Sequence, residues 1–255
     1  MPATRAPADW LVPDWPAPSG IRALCTTRAG GVSMPPHQGL NLGTHVGDVP
    51  ANVAANRSML EDVLGVRAVF LEQVHGVDAI VLDDATPDGA RADACIATHP
   101  GVACTIMVAD CLPVLFASGC GTRVAAAHAG WRGLASGVLE RTLANLTAGD
   151  GRHPIAWLGP CIGPRAFEVG DEVKAAFELH DATATTCFRA TGSPGKWWAD
   201  LPMLARRRLL AAGVHGIHGN DGSDAWCTAS NPLRFFSHRR DGVSGRFAAC
   251  IWLGD

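Results

Sequence analysis

The chain has 255 residues, 47% of them hydrophobic, and a formal net charge of -3 at pH 7. That is ample apolar content for a core of one large or two small domains, and too little positive charge to point to nucleic acid or an anionic membrane surface. No apolar run reaches the ~18 residues of a membrane span, and residues 1–20, rich in Pro, Ala and Trp, lack the basic-then-apolar order of a secretory leader, so the expected compartment is the cytoplasm.

Residues 1–20 read as an N-terminal extension and residues 21–255 as one domain, because no repeat or low-complexity linker divides them. Ile21–Thr27 reads as a strand, followed by a Gly30-Gly31 turn. Gly39–Asp48 carries no helical period and reads as a lining loop. Val53, Leu60 and Leu64 share a helical face over 49–64, although Asn56 and Arg57 interrupt the stripe, and Gly65 ends the pattern. Runs over 68–74 and 77–82 flank His75-Gly76 at hairpin spacing, which places His75 at a strand end. Short strands follow over 92–97 and 101–108.

The region from Thr105 to Gly137 carries the most chemistry. Two apolar runs hold Cys111 and His128, and the second breaks on glycines before a helix over 131–147 with Leu134, Val138, Leu139, Thr142, Leu143 and Leu146 at helical spacing. Beyond it, Ile155–Leu158 reads as a buried strand entering a rigid Gly-Pro loop over 159–164. A helix is expected over 167–179, then a turn-rich, lid-like loop over 181–198. Asp200 is placed to cap a helix that Gly213 stops, with Arg206, Arg207 and Arg208 on its solvated side. Phe247–Leu253 forms a last strand. The expected fold class is therefore mixed α/β, a single layered domain of mixed sheets flanked by helices.

Nine cysteines, an odd number with no Cys-x-x-Cys, argue against a disulfide framework in a chain of this size. Cys95, Cys104, Cys120, Cys187 and Cys250 sit in or beside apolar stretches and read as buried and inert. Cys111, with His75 and His128, has a different potential: a catalytic zinc site uses three protein ligands and keeps a fourth position open. The same Cys111 and His128, without metal, would make an activated thiol nucleophile. Arg132 in the first turn of a helix and the Arg239-Arg240 pair suggest a site for phosphate or a phosphorylated substrate.

Asn41-Leu-Gly, Gln73-Val-His-Gly76, Ala109-Asp-Cys-Leu-Pro113, Ala127-His-Ala-Gly-Trp-Arg-Gly133, Gly159-Pro-Cys-Ile-Gly163, Phe167-Glu-Val-Gly170 and Phe236-Ser-His-Arg-Arg240 occur in order. With these motifs, from Arg22 to Leu253, the chain resembles the laccase-domain purine nucleoside phosphorylases, a family formerly named multicopper polyphenol oxidases. The resemblance implies zinc held by His75, Cys111 and His128, phosphorolysis of adenosine, inosine, guanosine and methylthioadenosine, and a companion adenosine deamination. Its partners would be purine nucleosides and phosphate, in a monomer or homodimer. Under that reading Arg132, Arg239 and Arg240 are candidates to hold phosphate, and Asn41 and Gln73 to bind substrate. Asp110, Asp93 and Glu168 are candidate carboxylates for proton transfer or charge stabilisation, with Asp110 the first to try beside Cys111.

Copper oxidase chemistry is poorly supported by the residues. A blue-copper centre with a trinuclear partner uses paired histidines, and the ten histidines here include no His-x-His. A non-catalytic module with a structural metal would need a fourth protein ligand.

Overall fold

Alternation along the central strands decides the architecture. In β4 (Ala94–Ala97), β6 (Leu112–Ala117) and β7 (Val124–Ala129) every residue is buried, which requires cover on both faces of their sheet, since successive side chains point to opposite sides. The computed structural model, which describes residues 6–148 and 152–254, shows that cover.

In chain order the elements are β1 (Ile21–Cys25), α1 (Pro50–Leu64), β2 (Arg67–Phe70), β3 (Ala79–Leu82), β4, β5 (Val102–Val108), β6 and β7. Next come α2 (Trp131–Ser136), α3 (Val138–Leu146), β8 (Ile155–Leu158), β9 (Glu168–Gly170), α4 (Asp171–Glu178), β10 (Phe188–Ala190) and β11 (Lys196–Ala199). The chain closes with α5 (Leu201–Ala211), β12 (Gly216–Gly219), α6 (His238–Asp241) and β13 (Phe247–Leu253). One sheet has the order β1-β13-β5-β2, a second β12-β8-β6-β7-β4-β3, and a small third β10-β11-β9.

The first two sheets pack face to face, so that Cys95, Val124 and Ala126 of one meet Cys104, Ile106, Phe247 and Ile251 of the other in one core. The alternate residues of the second sheet, Ala94, Ile96, Val114, Ala125 and Ala127, face Leu139, Leu143, Leu204 and Leu209 of α3 and α5. On the outer face of the first sheet, Leu60 and Leu64 of α1 pack with Phe70, Ala103 and Cys250. The protein is thus a mixed α/β domain of layered sheets flanked by helices. In the segment before β1, Leu11 bridges the strand's last residue: Leu11 and Cys25 exchange backbone hydrogen bonds of 2.8 and 2.7 Å.

Several local expectations are overturned. The segments around His75 do not form a hairpin: β2 pairs with β5 in the first sheet, and β3 with β4 in the second. The connection crosses from one sheet to the other, and His75 occupies its left-handed turn with φ 61°. The helix over 131–147 is two helices, broken at Gly137 with φ 102°. The helix over 167–179 starts only at Asp171, because Glu168–Gly170 is drawn into the third sheet by β11.

Residues 181–198 are no lid. They form a 3-10 turn over Ala182–Cys187 and the β10–β11 pair. The strand β12 carried no signal in its Gly-Ile-His-Gly sequence and exists through its parallel pairing with β8. Arg206, Arg207 and Arg208 are half-buried rather than a solvated face: they bond the Ile217 and Asn220 carbonyls, Asp181 and Glu140 respectively. Cys120 is exposed, whereas Cys95, Cys104, Cys187 and Cys250 are buried as expected. Burial pushes the Cys250 thiol up to about 12, and that of Cys104 well above its ordinary range.

Asn56, which interrupts the apolar stripe of α1, is fully buried and fastens the loop beneath the helix. It accepts from Val32 N at 2.8 Å and donates to Ser33 Oγ at 2.9 Å and Asn41 O at 2.8 Å. Asn56→Ala leaves those groups unpaired, at a cost of about 1–3 kcal/mol for a buried polar group. The expected outcome is a lower urea midpoint with an unchanged slope.

Candidate metal centre

The centre lies where three strand ends of the second sheet meet the crossover from the first. Antiparallel pairing of β6 with β7 sets Pro113 opposite His128 and Leu112 opposite Ala129, so Cys111, one residue before β6, lies beside the end of β7. His75 comes from the β2–β3 connection. Its Nε2 is 3.6 Å from Cys111 Sγ, and its ring centroid is 4.7 Å from that of His128.

The donor atoms of His75, Cys111 and His128 all lie within 4.8 Å of one another, and among the described residues they are the one such group able to hold a metal ion. Ligands about 2.0–2.3 Å from a tetrahedral ion stand roughly 3.4–3.7 Å apart. The donors therefore fit an ion at tetrahedral distances after small adjustments, and no fourth protein donor of the described residues joins them.

Asp93 organises the three ligand segments. It is fully buried just before β4, and its Oδ1 accepts from His128 Nδ1 at 2.8 Å and from His75 N at 2.9 Å. Its Oδ2 accepts from Gly76 N at 2.6 Å and Val74 N at 3.2 Å. One carboxylate thus orients the imidazole of one ligand and holds the left-handed backbone of another, leaving His128 Nε2 for the metal. Burial alone would raise the Asp93 carboxyl, but His128 and these N–H groups hold it below its usual range.

Glycine makes the approach possible. A Cβ on Gly130 would stand 2.7 Å from His75 Cδ2 and 3.0 Å from Cys111 Sγ, and one on Gly133 would stand 2.7 Å from Gly76 O. The Ala-Gly-Trp-Arg-Gly string is therefore the floor on which the ligands rest.

The electrostatics favour a thiolate at Cys111. Burial opposes a charged Cys111, but His128 and His75 outweigh it and bring the thiol down to about 6. Burial likewise opposes a charged His128, and Cys111 with Asp93 outweighs it, taking that imidazole up to about 9. Without metal the two form a thiolate–imidazolium pair, and a bound cation would displace the imidazolium proton.

A cavity of about 410 Å³ opens over the trio. Asp110 and Arg239 line it, as do His238, which the Phe236-Ser-His-Arg-Arg240 motif contains without an expected role, and His45 and Arg246, which lie in none of the motifs. Asp110 adopts φ 96°, a strained conformation for a non-glycine residue, in the turn between β5 and β6. Because the strand has ended, its carboxylate reaches the cavity, held by Thr228 Oγ1 at 2.6 Å and Arg239 N at 2.7 Å. Gln73 also lines the cavity, with both amide atoms bonded to the Met107 backbone.

Other candidates lie elsewhere. Arg132 is exposed and stacks on Trp131, its guanidinium 4.4 Å from the ring. Arg240 donates to the Thr228 and Phe235 carbonyls and pairs with Asp241. Asn41 is buried behind the cavity wall, bonded to Asp48 and to the backbones of Gly43 and Arg246. The Glu168 side chain is exposed, and its carbonyl accepts from Arg239 Nη1 at 3.0 Å.

Asp93→Asn should weaken metal retention about 10- to 100-fold, measured by metal content after dialysis against a buffered chelator. In metal-free protein Cys111 should be alkylated by iodoacetamide with a pH midpoint near 6. A lowered thiol pKa leaves the thiolate dominant at neutral pH, so the rate should plateau there, and zinc should suppress it.

The family described as multi-copper polyphenol oxidoreductase laccase matches residues 22–254. A Pseudomonas aeruginosa protein named purine nucleoside phosphorylase is 52% identical, covering 96% of this chain and 99% of that protein. A protein of the same name from Escherichia coli is 50% identical, over 95% of this chain and 98% of the relative. The crystal structure of a Neisseria meningitidis protein, 46% identical, superposes with a TM-score of 0.91 over 97% of this chain and all of that one. Matched over nearly its whole length in both sequence and fold, the chain belongs to the multi-copper polyphenol oxidoreductase laccase family.

Proposed function

We propose that this protein is a zinc-dependent phosphorylase of purine nucleosides, adenosine, inosine, guanosine and methylthioadenosine among them, with adenosine deamination as a companion reaction in the same cavity. The observation that carries the reading is the three-donor group with a cavity on its open side, of a size typical of small-molecule sites, ~300–1,000 Å³. The names of the relatives supply the substrate class.

Zinc held by His75, Cys111 and His128 would supply Lewis-acid polarisation and water activation. The protein supplies the rest. Leu71, Met107, Ile162 and Phe167 give apolar walls that suit a purine ring. In phosphorolysis the C1′–N bond to the base breaks, a C1′–O bond to phosphate forms, and the base takes up a proton. Of the three carboxylates considered, Asp110 lines the cavity, while Asp93 is committed to His128 and Glu168 faces solvent. Asp110 is therefore the group to stabilise positive charge developing on the sugar. Arg239, fixed by Asp110 and the Glu168 carbonyl, offers positive charge to phosphate.

The single three-donor group among the described residues supports zinc over a multi-copper electron-transfer site, which needs several metals. The cytoplasm remains the proposed compartment: all nine cysteines are free, and no described helix is long and apolar enough to cross a membrane.

Purified protein incubated with adenosine should yield adenine and ribose 1-phosphate only when phosphate is present, and inosine with or without it. His75→Ala should remove the zinc and reduce both products at least ~100-fold, in line with loss of a catalytic metal's contribution. Full activity of that variant without metal would instead favour a Cys111–His128 nucleophile.

A further inference from the structure

Arg57, Arg207, Arg208 and Arg240 each pair with a carboxylate. Arg246, half-buried in the cavity wall, forms no ion pair among the described residues: its Nη1 donates to the Ser244 and Gly245 carbonyls, at 2.8 and 3.0 Å. An unpaired guanidinium partly removed from water is costly unless a ligand supplies the charge. Those two carbonyl bonds fix its position in advance.

His45 lines the same cavity and also a second recess of about 600 Å³, whose walls include Arg57 and which shares Leu71, Gln73 and Met107 with the first. The loop bearing His45 and the segment bearing Arg246 are fastened by a backbone hydrogen bond, Leu42 N to Arg246 O at 2.9 Å, and by the Asn41 amide. Asn41 Oδ1 accepts from Gly43 N at 3.0 Å and from Arg246 N at 2.8 Å, and Asn41 Nδ2 donates to Asp48 at 2.8 Å. Gly43 leaves room for the arginine stem, since a Cβ there would lie 2.9 Å from Arg246 Cγ.

We propose that Arg246 and His45 form the phosphate subsite of the cavity, with Arg239 as a further cation on its wall and Asn41 as the residue that positions the pair. This inference rests on the phosphorylase reading for the identity of the anion, and it replaces the exposed Arg132 and Arg240, which is paired with Asp241, as phosphate ligands. Burial and the charges of Arg246 and Arg57 hold His45 below its ordinary imidazole range. The negative charges near Arg246 are those of Cys111 and Asp110. The first would be neutralised by the metal, and the second is already bonded to Thr228 and the Arg239 backbone.

The test is titration of inorganic phosphate into zinc-loaded full-length protein by calorimetry, with steady-state kinetics in parallel. Arg246→Gln and His45→Gln should each weaken phosphate binding and raise its KM by about 10-fold or more, the scale of a lost charge-assisted hydrogen bond. Nucleoside KM and zinc content should stay within about 2-fold on that same scale, and Arg132→Ala should behave as wild type. If Arg246→Gln fails to fold, Arg246→Lys takes its place, with a smaller loss expected because the planar fork is gone. Wild-type phosphate affinity in folded, zinc-loaded Arg246 and His45 variants would overturn the subsite, as would a loss seen with Arg132→Ala instead. Phosphate binding that depends on Arg246 and His45, without any ribose 1-phosphate formed, would support the subsite and sink the phosphorylase reading alone.

Discussion

The Asp93 carboxylate is the interaction on which the centre depends. Its two oxygens take four N–H donors, one from the His128 ring and three from consecutive backbone positions around His75. A carboxylate with that many donors stays ionised even when buried, and here it joins two segments that local sequence would never bring together. His75 lies in a crossover between sheets and has no strand partner to hold it. Its left-handed backbone is maintained by Asp93, and without that clasp a flexible connection would carry one of the three ligands.

The face-to-face packing of two sheets explains where this happens. β4, β6 and β7 are buried on both sides, so their ends are the first places where the chain can release polar side chains toward a cavity. Asp93, Cys111 and His128 occupy or immediately adjoin those ends, and Gly130 and Gly133 permit the next helix to begin against the ligands without side-chain interference. Rigidity of the strands then fixes donor distances more closely than loops would. The strained turn at Asp110 belongs to the same logic: a backbone bend at a strand end re-aims a carboxylate that regular pleating would point away.

The electrostatics around the cavity divide into two parts. On one side a thiolate, an imidazole held by a carboxylate and a second imidazole suit a borderline-soft cation. On the other, Arg239 and Arg246 suit an anion. Opposite requirements placed side by side in a single small cavity are what the proposed reaction between a nucleoside and phosphate would call for.

Sequence alone reached the mixed α/β class, the bounds of α1 and α5, and, through motifs rather than spacing, the three residues that the structure groups as a candidate metal site. Periodicity reports burial, and capping residues such as Asp200 and Gly65 act locally, so both are legible in one dimension. Sheet partnership is not. Whether 68–74 and 77–82 pair with each other or with separate sheets depends on long-range hydrogen bonds, and that decided the place of His75. The same limit hid the proposed anion side: Arg132 and Arg240 stand in conspicuous motifs yet spend their charge on Trp131 and Asp241, while Arg246 and His45, 201 positions apart in the numbering, line one cavity only in the folded chain. Residue type and local pattern settled which chemistry this chain can support; the tertiary structure alone decided which arginines face it, because direction and solvation of a side chain are set by neighbours distant in sequence.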